Sequence, residues 1–373
     1  MVSYKFRLYP NKTQEVLLNK TFGCVRYFWN CQVATFNSYH VETNPNPIFK
    51  TSTQIRNEVE WMKEVSAGAI QQKEMDFKEF KNQRFNAKRK KKIGNPCFKK
   101  KSNKQSFRLP NQKFKILTNK IQLEKIGKIR MVIDRELPDG KLMSVTISKN
   151  PSGQYFASIL IETLPKQLHK TNKSVGIDLG LKEFITTSDN QIVHNPRYFR
   201  ESQSKLRKLQ QRLSRKKKGS NRRNKARIKV AKLHQKISNQ RDWFLHNVTT
   251  NLVENYDTIV IEDLNVSGMV KNSKLAKSIS DASFSKFRQQ LSYKCDWYGK
   301  ELVVINRFEP TSKKCSCCGW IKKDLTLKDR TFNCDNCNLS IDRDYNASLN
   351  ILSIGVNVDI NRTSRVNKTM KIA

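Results

Sequence analysis

Acidic residues are scarce in this chain of 373 residues: 32 aspartates and glutamates stand against 72 lysines and arginines, a formal charge of +40. Such an excess repels itself unless a polyanion or dense counterions neutralise it, so nucleic acid is the first partner to consider. A cationic protein of the membrane surface is the competing reading. No apolar run, however, approaches the ~20 residues of a spanning helix, and the opening "MVSYKFRLYP" lacks a signal-peptide pattern. We therefore expect a cytoplasmic location and no membrane partner. A G-x-x-x-x-G-K-[ST] loop is also missing, which argues against ATP use, and none of the five histidines falls in a nucleophile–base arrangement. No internal repeat is present. The hydrophobic share, 37%, is still enough to build cores for two or three domains.

Apolar periodicity changes along the chain. After the strand-like "YKFRLYP", Pro10 breaks the pattern, and Val16, Phe22, Val25, Trp29, Val33 and Phe36 recur at helical spacing. Further helical stretches begin near Thr51, with Ile55 and Val59 one turn apart, and after Ser66, running through Phe77 and Phe80 to Lys92. From Ser106 the period becomes two, through Phe114 and Ile116, Ile129 and Met131, Val145 and Ile147, then Tyr155, Ala157, Ile159 and Ile161. "PDG" and "NPSG" supply turns. These runs predict an antiparallel β-barrel of residues 1–10 and 96–168, into which a helical bundle of residues 11–95 is inserted, with a linker at 164–172.

Beyond the linker, "KSVGIDLGLKEFITTSDNQIVHNP" reads as a strand meander. Two amphipathic helices follow, one with Leu206, Leu209 and Leu213 on a stripe and one with Val230, Leu233 and Ile237, joined by the very basic "SRKKKGSNRRNK". "YDTIVIEDL" is a short β-branched run after a long helical crossover, which predicts a buried strand parallel to an earlier one. A helix over 283–297 then leads to the strand "ELVVIN", and the last twenty or so residues carry no clear pattern.

Nine cysteines in a chain without secretion signals point to metal ligation before disulfides. Cys315 and Cys318 form one C-x-x-C, Cys334 and Cys337 another, the arrangement of two knuckles that clamp one Zn²⁺ at ~2.3 Å per sulfur. Four thiolates close the coordination sphere, so this zinc stabilises the fold and activates no water; Cys317 reads as a spare thiol. Chemistry must come from the carboxylates. Enzymes that cut phosphodiesters hold two divalent cations about 4 Å apart with acids gathered at the ends of core elements. Asp178 ends a buried strand in "VGIDLG", Glu262 ends "TIVIED", and Asp342 and Asp344 precede the helical "YNASLNIL". Singly, each is also consistent with a turn, a strand end or a helix cap. Together they match the layout that lets an RNase H-like sheet hold two Mg²⁺ ions.

The motifs "GIDLG", "IVIEDL", "SKKCSCCG", "CDNC" and "DRDYNAS", in this order, resemble those of the TnpB proteins encoded by insertion sequences, relatives of compact type V CRISPR effectors. The resemblance extends to "FRLYPNKTQ", "TFGCVRYFWN", "GNPCFKKK" and "SISDASFSKFRQQLSYKCDWYGK" and covers the chain to about residue 352. It implies a mixed fold with α/β, all-β and all-α parts: a RuvC-type nuclease domain over 169–312 and 341–354, a zinc ribbon inserted at 313–340, a barrel (wedge) domain carrying the helical bundle, and a tail at 355–373. It also implies an RNA-guided DNA endonuclease of a prokaryotic cytosol. The guide RNA would come from the end of the element, the target would be double-stranded DNA, and the complex would hold one copy of the chain. Asp178, Glu262 and Asp344 would then be the magnesium-binding catalytic acids, with Arg343 reaching a phosphate and Gln71 near the short duplex motif beside the target.

The charge fits that implication, because an effector enclosing RNA and a ~20 base-pair heteroduplex reads backbone geometry and leaves sequence to pairing. Candidate phosphate contacts are Lys216, Lys217 and Lys218 with Arg222 and Arg223, and residues 89–92 with Lys99, Lys100 and Lys101. Tyr27, Phe28 and Trp29 read as core at their helical spacing. Three competing functions remain open on sequence alone: a DNA-strand transferase sharing the sheet and its acids, a nuclease-inactive RNA-guided DNA-binding protein, and a zinc-ribbon RNA-binding factor.

Overall fold

The structure is a computed structural model that describes residues 1–38, 47–86, 88–89, 93–102, 104–164, 167–326 and 329–369, with side chains described as far as residue 356. It divides into two compact units, residues 1–164 and 165–373.

In the first unit, strand β1 (Val2–Tyr9) leads into helices α1 (Lys12–Asn37), α2 (Ser52–Glu58) and α3 (Ala67–Arg84). Six strands follow: β2 (Gln105–Pro110), β3 (Phe114–Leu117), β4 (Lys120–Leu123), β5 (Gly127–Val132), β6 (Lys141–Lys149) and β7 (Tyr155–Glu162). The helices are thus inserted between the first strand and the rest, as expected. All seven strands form one antiparallel sheet in the order β2-β6-β7-β1-β5-β4-β3. One apolar cluster takes side chains from every strand, together with Leu18, Phe22 and Val25 of α1, so the sheet curls as a half-barrel around that helix. Capping boxes start α1 at Asn11 with Gln14 and α2 at Thr51 with Gln54. Trp29 packs edge-on against Phe77 and Phe80, and its indole donates to the Cys97 carbonyl at 3.1 Å, the structural role its spacing predicted. Helix α3 ends at Arg84, short of the expected Lys92; residues 90–92 lie outside the described residues.

The second unit builds a five-stranded sheet from β8 (Ser174–Leu179), β9 (Glu183–Thr187), β10 (Ile192–His194), β11 (Thr258–Glu262) and β12 (Glu301–Ile305), in the order β10-β9-β8-β11-β12. Strands β8, β11 and β12 run parallel, as the run "YDTIVIEDL" predicted. Helices α4 (Tyr198–Ser214) and α5 (Asn221–Asn255) form the crossover, and α6 (Val266–Met269), α7 (Ala276–Ala282) and α8 (Phe284–Tyr298) lie between β11 and β12. The hairpin β13 (Thr331–Asn333) and β14 (Ser340–Asp342) precedes α9 (Arg343–Thr369). Helix α5 is longer than its first stripe suggests because it changes partner: Leu233 and Ile237 pack on α4, whereas Leu245, Leu252 and Val253 pack on the sheet. Strand β11 is buried on both faces, Ile259 and Ile261 against α5 and α8 and Val260 against α9, hence its unbroken apolar run. The α9 backbone continues to Thr369 with no break at 355. Among the described residues, no helix is long and apolar enough to cross a membrane.

Helix α9 lies unusually close to the sheet because two glycines allow it. A Cβ added at Gly176 of β8 would stand 2.2 Å from the Ser348 carbonyl oxygen and 2.5 Å from the Leu352 amide nitrogen; one added at Gly355 would stand 2.3 Å from a Val260 methyl. Backbone cannot rotate away as a flexible side chain can. Gly176→Ala is therefore expected to lift α9 and lower stability by roughly 3 kcal/mol, read as a fall in the urea midpoint at unchanged slope.

Candidate active site and metal centre

The buried runs of β8 and β11 carry the chain through the core, and the first acidic side chain of each emerges at the carboxyl end. Ile177 of β8 pairs with Ile261 of β11, so Asp178 and Glu262 come abreast one residue further on. The Glu262 carboxylate accepts a hydrogen bond from the hydroxyl of Thr311, a buried residue. The third acid rides on α9. Asp342 Oδ1 accepts from the amides of Asp344 and Tyr345, both at 2.9 Å; it caps the helix and leaves the Asp344 side chain to other partners. Arg343 donates to Asp344 through Nε (3.3 Å) and Nη2 (3.1 Å), and through Nη1 to the Thr326 carbonyl (3.3 Å); Arg330 lies 3.9 Å from the same carboxylate.

These carboxylates act on one another. Burial pushes the Asp178 carboxyl up to about 7, repulsion from Glu262 and Asp344 adds to it, and Arg343 and the Leu179 amide oppose. Burial also raises Glu262, against the hydrogen bond from Thr311. Like charges crowded into a partly buried place are relieved by a cation, and hard oxygen donors suit magnesium. Among the described residues, only the four cysteines bring three or more possible metal-ligating atoms within 4.8 Å of one another.

The cysteine cluster is tighter. Sγ of Cys315 lies 3.6 Å from Sγ of Cys337 and Sγ of Cys318 lies 3.5 Å from Sγ of Cys334; all four are mutually within 4.8 Å. A tetrahedral ion with bonds of ~2.3 Å needs sulfurs about 3.8 Å apart, so these residues fit zinc. The two knuckles share one geometry: the residue after each second cysteine, Gly319 (φ 79) and Asn338 (φ 60), is left-handed, and its amide donates back to the first cysteine's carbonyl at 3.0 Å. Cys317 is exposed and outside the cluster.

Sequence reading missed the side chains that join metal centre to acids. Asn346 and Asn350, buried on α9, donate to the Lys314 carbonyl at 2.7 and 2.6 Å, and Asn350 donates to the Thr311 carbonyl at 2.8 Å. Asn346 Oδ1 accepts from the Ser316 amide at 3.0 Å. The available signal was a pair of asparagines four residues apart on an otherwise apolar helix face.

The candidate nucleic-acid contacts separate by environment. Gln71 is exposed on α3, and Lys100 and Lys101 are exposed. Lys99 is half-buried, its Nζ 3.8 Å from the Trp29 ring centroid, and burial with help from Lys73 pushes its ammonium down to about 8. In the α4–α5 turn, Lys217, Lys218 and Arg222 are exposed and Lys216 half-buried. Arg223 Nη1 instead donates to the carbonyls of Leu213 (2.9 Å) and Lys216 (2.8 Å), closing that turn.

Known proteins match this arrangement along nearly its whole length. Family profiles described as "Probable transposase", "Cas12f1-like, TNB domain" and "Helix-turn-helix domain" match residues 156–273, 284–351 and 1–42. A Streptomyces pristinaespiralis protein named "Putative RNA-guided DNA endonuclease" is 37% identical over 364 residues, covering 95% of this chain and 89% of its own. "Putative RNA-guided DNA endonuclease InsQ" of Escherichia coli (strain K12) is 31% identical, covering 95% and 92%. Among solved structures, "Cryo-EM structure of the Cas12f1-sgRNA-target DNA complex" aligns at a TM-score of 0.55 and 14% identity over 91% of this chain and 82% of that one, which establishes a shared fold. The chain belongs to the TnpB family.

Proposed function

We propose that this protein is an RNA-guided DNA endonuclease encoded by a transposable element, cutting double-stranded DNA beside a short flanking motif. The observation that carries the reading is that Asp178 and Glu262, at the ends of two parallel strands, and Asp344, at a helix start, interact: burial, with repulsion from the other two acids, raises Asp178 to about 7. The names of relatives aligned over nine-tenths of the chain support it.

In this reading the unit of residues 165–373 is the RuvC-type nuclease with its zinc ribbon, and the unit of residues 1–164 holds the guide and reads the flanking motif through a wedge half-barrel and helical bundle. Asp178, Glu262 and Asp344 would hold two Mg²⁺ ions; bound there, the ions supply charge neutralisation at the scissile phosphate, activation of water and support for the leaving 3′ oxygen. Thr311 orients Glu262, and the Asp342 cap fixes the start of α9 so that Asp344 meets the strand ends. Arg343, already bonded to Asp344, is placed to steady a phosphate brought to the acids. Cys315, Cys318, Cys334 and Cys337 hold a structural Zn²⁺. Exposed Gln71, Lys100, Lys217 and Arg222 meet nucleic acid most directly, with Lys99 and Lys216 partly withdrawn and Arg223 shaping the turn that presents its neighbours. The active species is one chain with one guide RNA in the prokaryotic cytosol.

Purification from a host carrying the whole element tests this. A discrete structured RNA with a variable end is expected to co-purify, and the complex is expected to break matching DNA in Mg²⁺. Generic cellular RNA sinks the guided reading, joined DNA products favour strand transfer, and target occupancy without breaks favours an inactive binder.

A further inference from the structure

Beside Glu262 the second unit carries a cavity of about 260 Å³, with Leu179, the neighbour of Asp178, in its lining. It lies at the carboxyl ends of β8 and β11, where open α/β sheets hold their ligands. Leu179, Leu264, Val266 and Phe284 form its walls; Glu262 stands at one side and Arg288 at another. The space far exceeds the about 30 Å³ of a water molecule, and its mostly carbon lining offers water few partners. Arg288, in the lining, bonds one carboxylate oxygen of Asp263, and Arg307 bonds the other. Both arginines are thereby fixed one residue from Glu262 while remaining partly exposed.

We propose that this cavity receives one unstacked nucleobase of the strand being cut, with Arg288 against the adjoining backbone phosphate. The inference rests on the nuclease reading and adds to it a subsite that sets which phosphate reaches the acids. A strand whose scissile phosphate lies at Glu262 must put the attached base within a few ångströms, and the apolar walls offer that base faces to pack on. Planar bases gain from such contact with little regard to sequence. The Arg288 guanidinium in the lining selects an occupant carrying a phosphate over an apolar peptide or small molecule, neither of which has a use for a fixed cation there. Seating the base fixes the backbone attached to it, so the cut falls at one register.

The test uses the full chain with its guide RNA and a series of target strands, each with a single abasic nucleotide moved through the cut region. In the wild type, one position next to the cut is expected to slow cleavage about tenfold or to shift the cut. Ser285→Phe, from the exposed first turn of α8, and Val266→Phe, from the wall, both fill the cavity. Each is expected to keep its guide RNA and to cut intact and abasic strands at the same reduced rate. A wild type that cuts equally well across the series overturns the base subsite and leaves the nuclease standing, as does a dip that persists undiminished in both filled variants. A wild type that cuts nothing removes the nuclease reading and this inference with it.

Discussion

Asp178→Ala is expected to abolish Mg²⁺-dependent cleavage, by a factor on the order of a thousand or more, because groups that act as one unit fail together. Guide RNA should still co-purify in wild-type amount, since exposed Gln71 on α3 and the exposed basic residues around Lys100 and in the α4–α5 turn are untouched. The same substitution carries a second, opposite signature in stability. Burial and two facing carboxylates raise the folded-state value of Asp178 to about 7, while an unfolded aspartate releases its proton near pH 4. The folded chain therefore binds the extra proton between roughly pH 4 and 7, and metal-free stability falls as pH rises through that window. The alanine variant lacks this decline, so at pH 7.5 without divalent ions it should unfold no earlier than the wild type. Thermal melts across that range, paired with cleavage assays, separate loss of a ligand from loss of the fold. Cutting retained by a well-folded Asp178→Ala protein would move the chemistry to other residues.

Why these acids stood out before any coordinates can be traced to local physics. "VGID" and "IVIE" each run apolar until one acid, and a strand buried on both faces leaves no other place for it than the end. The knuckles were legible because C-x-x-C repeated twice leaves few alternatives in a reduced chain. The alternation of period two gave the strands of the first unit, yet not their order: β1 sits between β7 and β5, a pairing across more than a hundred residues that no local pattern encodes. Helix α5 runs on past the stripe of Val230, Leu233 and Ile237 because its apolar side changes partner midway, Leu233 toward α4 and Leu245 toward the sheet. The glycines flanking Asp178 in "VGIDLG" leave room for a backbone to approach, but which backbone meets Gly176 depends on where α9 lies. Thr311, Asn346 and Asn350 were illegible for a related reason: a polar residue reveals its role only through the partner it meets, and theirs lie tens of residues away.

Those three side chains make zinc matter to the chemistry. The ribbon's own core is small, Cys315, Phe332 and Cys334 with Trp320, Leu325, Cys337, Leu339 and Ile341 around them, far too little to hold a hairpin without metal. Cys334→Ser is expected to lose the ion, whose binding in such sites is worth on the order of 10 kcal/mol, and with it the order of residues 313–340. The effect should not stop there. The segment that enters the ribbon carries Thr311, the hydrogen-bond donor to Glu262, and the Lys314 carbonyl, to which Asn346 and Asn350 of α9 are tied. Loosening it frees Glu262 and the helix start that bears Asp344, so cleavage should fall at least tenfold although no cysteine lies among the acids, and added Mg²⁺ should not restore it. Elemental analysis is expected to find one zinc per chain in the wild type, in Asp178→Ala and in Cys317→Ser, and none in Cys334→Ser. A zinc-free Cys334→Ser protein that cuts at the wild-type rate would show that the acids hold their places without the ribbon. Cys317→Ser is the control for thiol loss as such: exposed and outside the cluster, it should leave zinc content and cleavage unchanged.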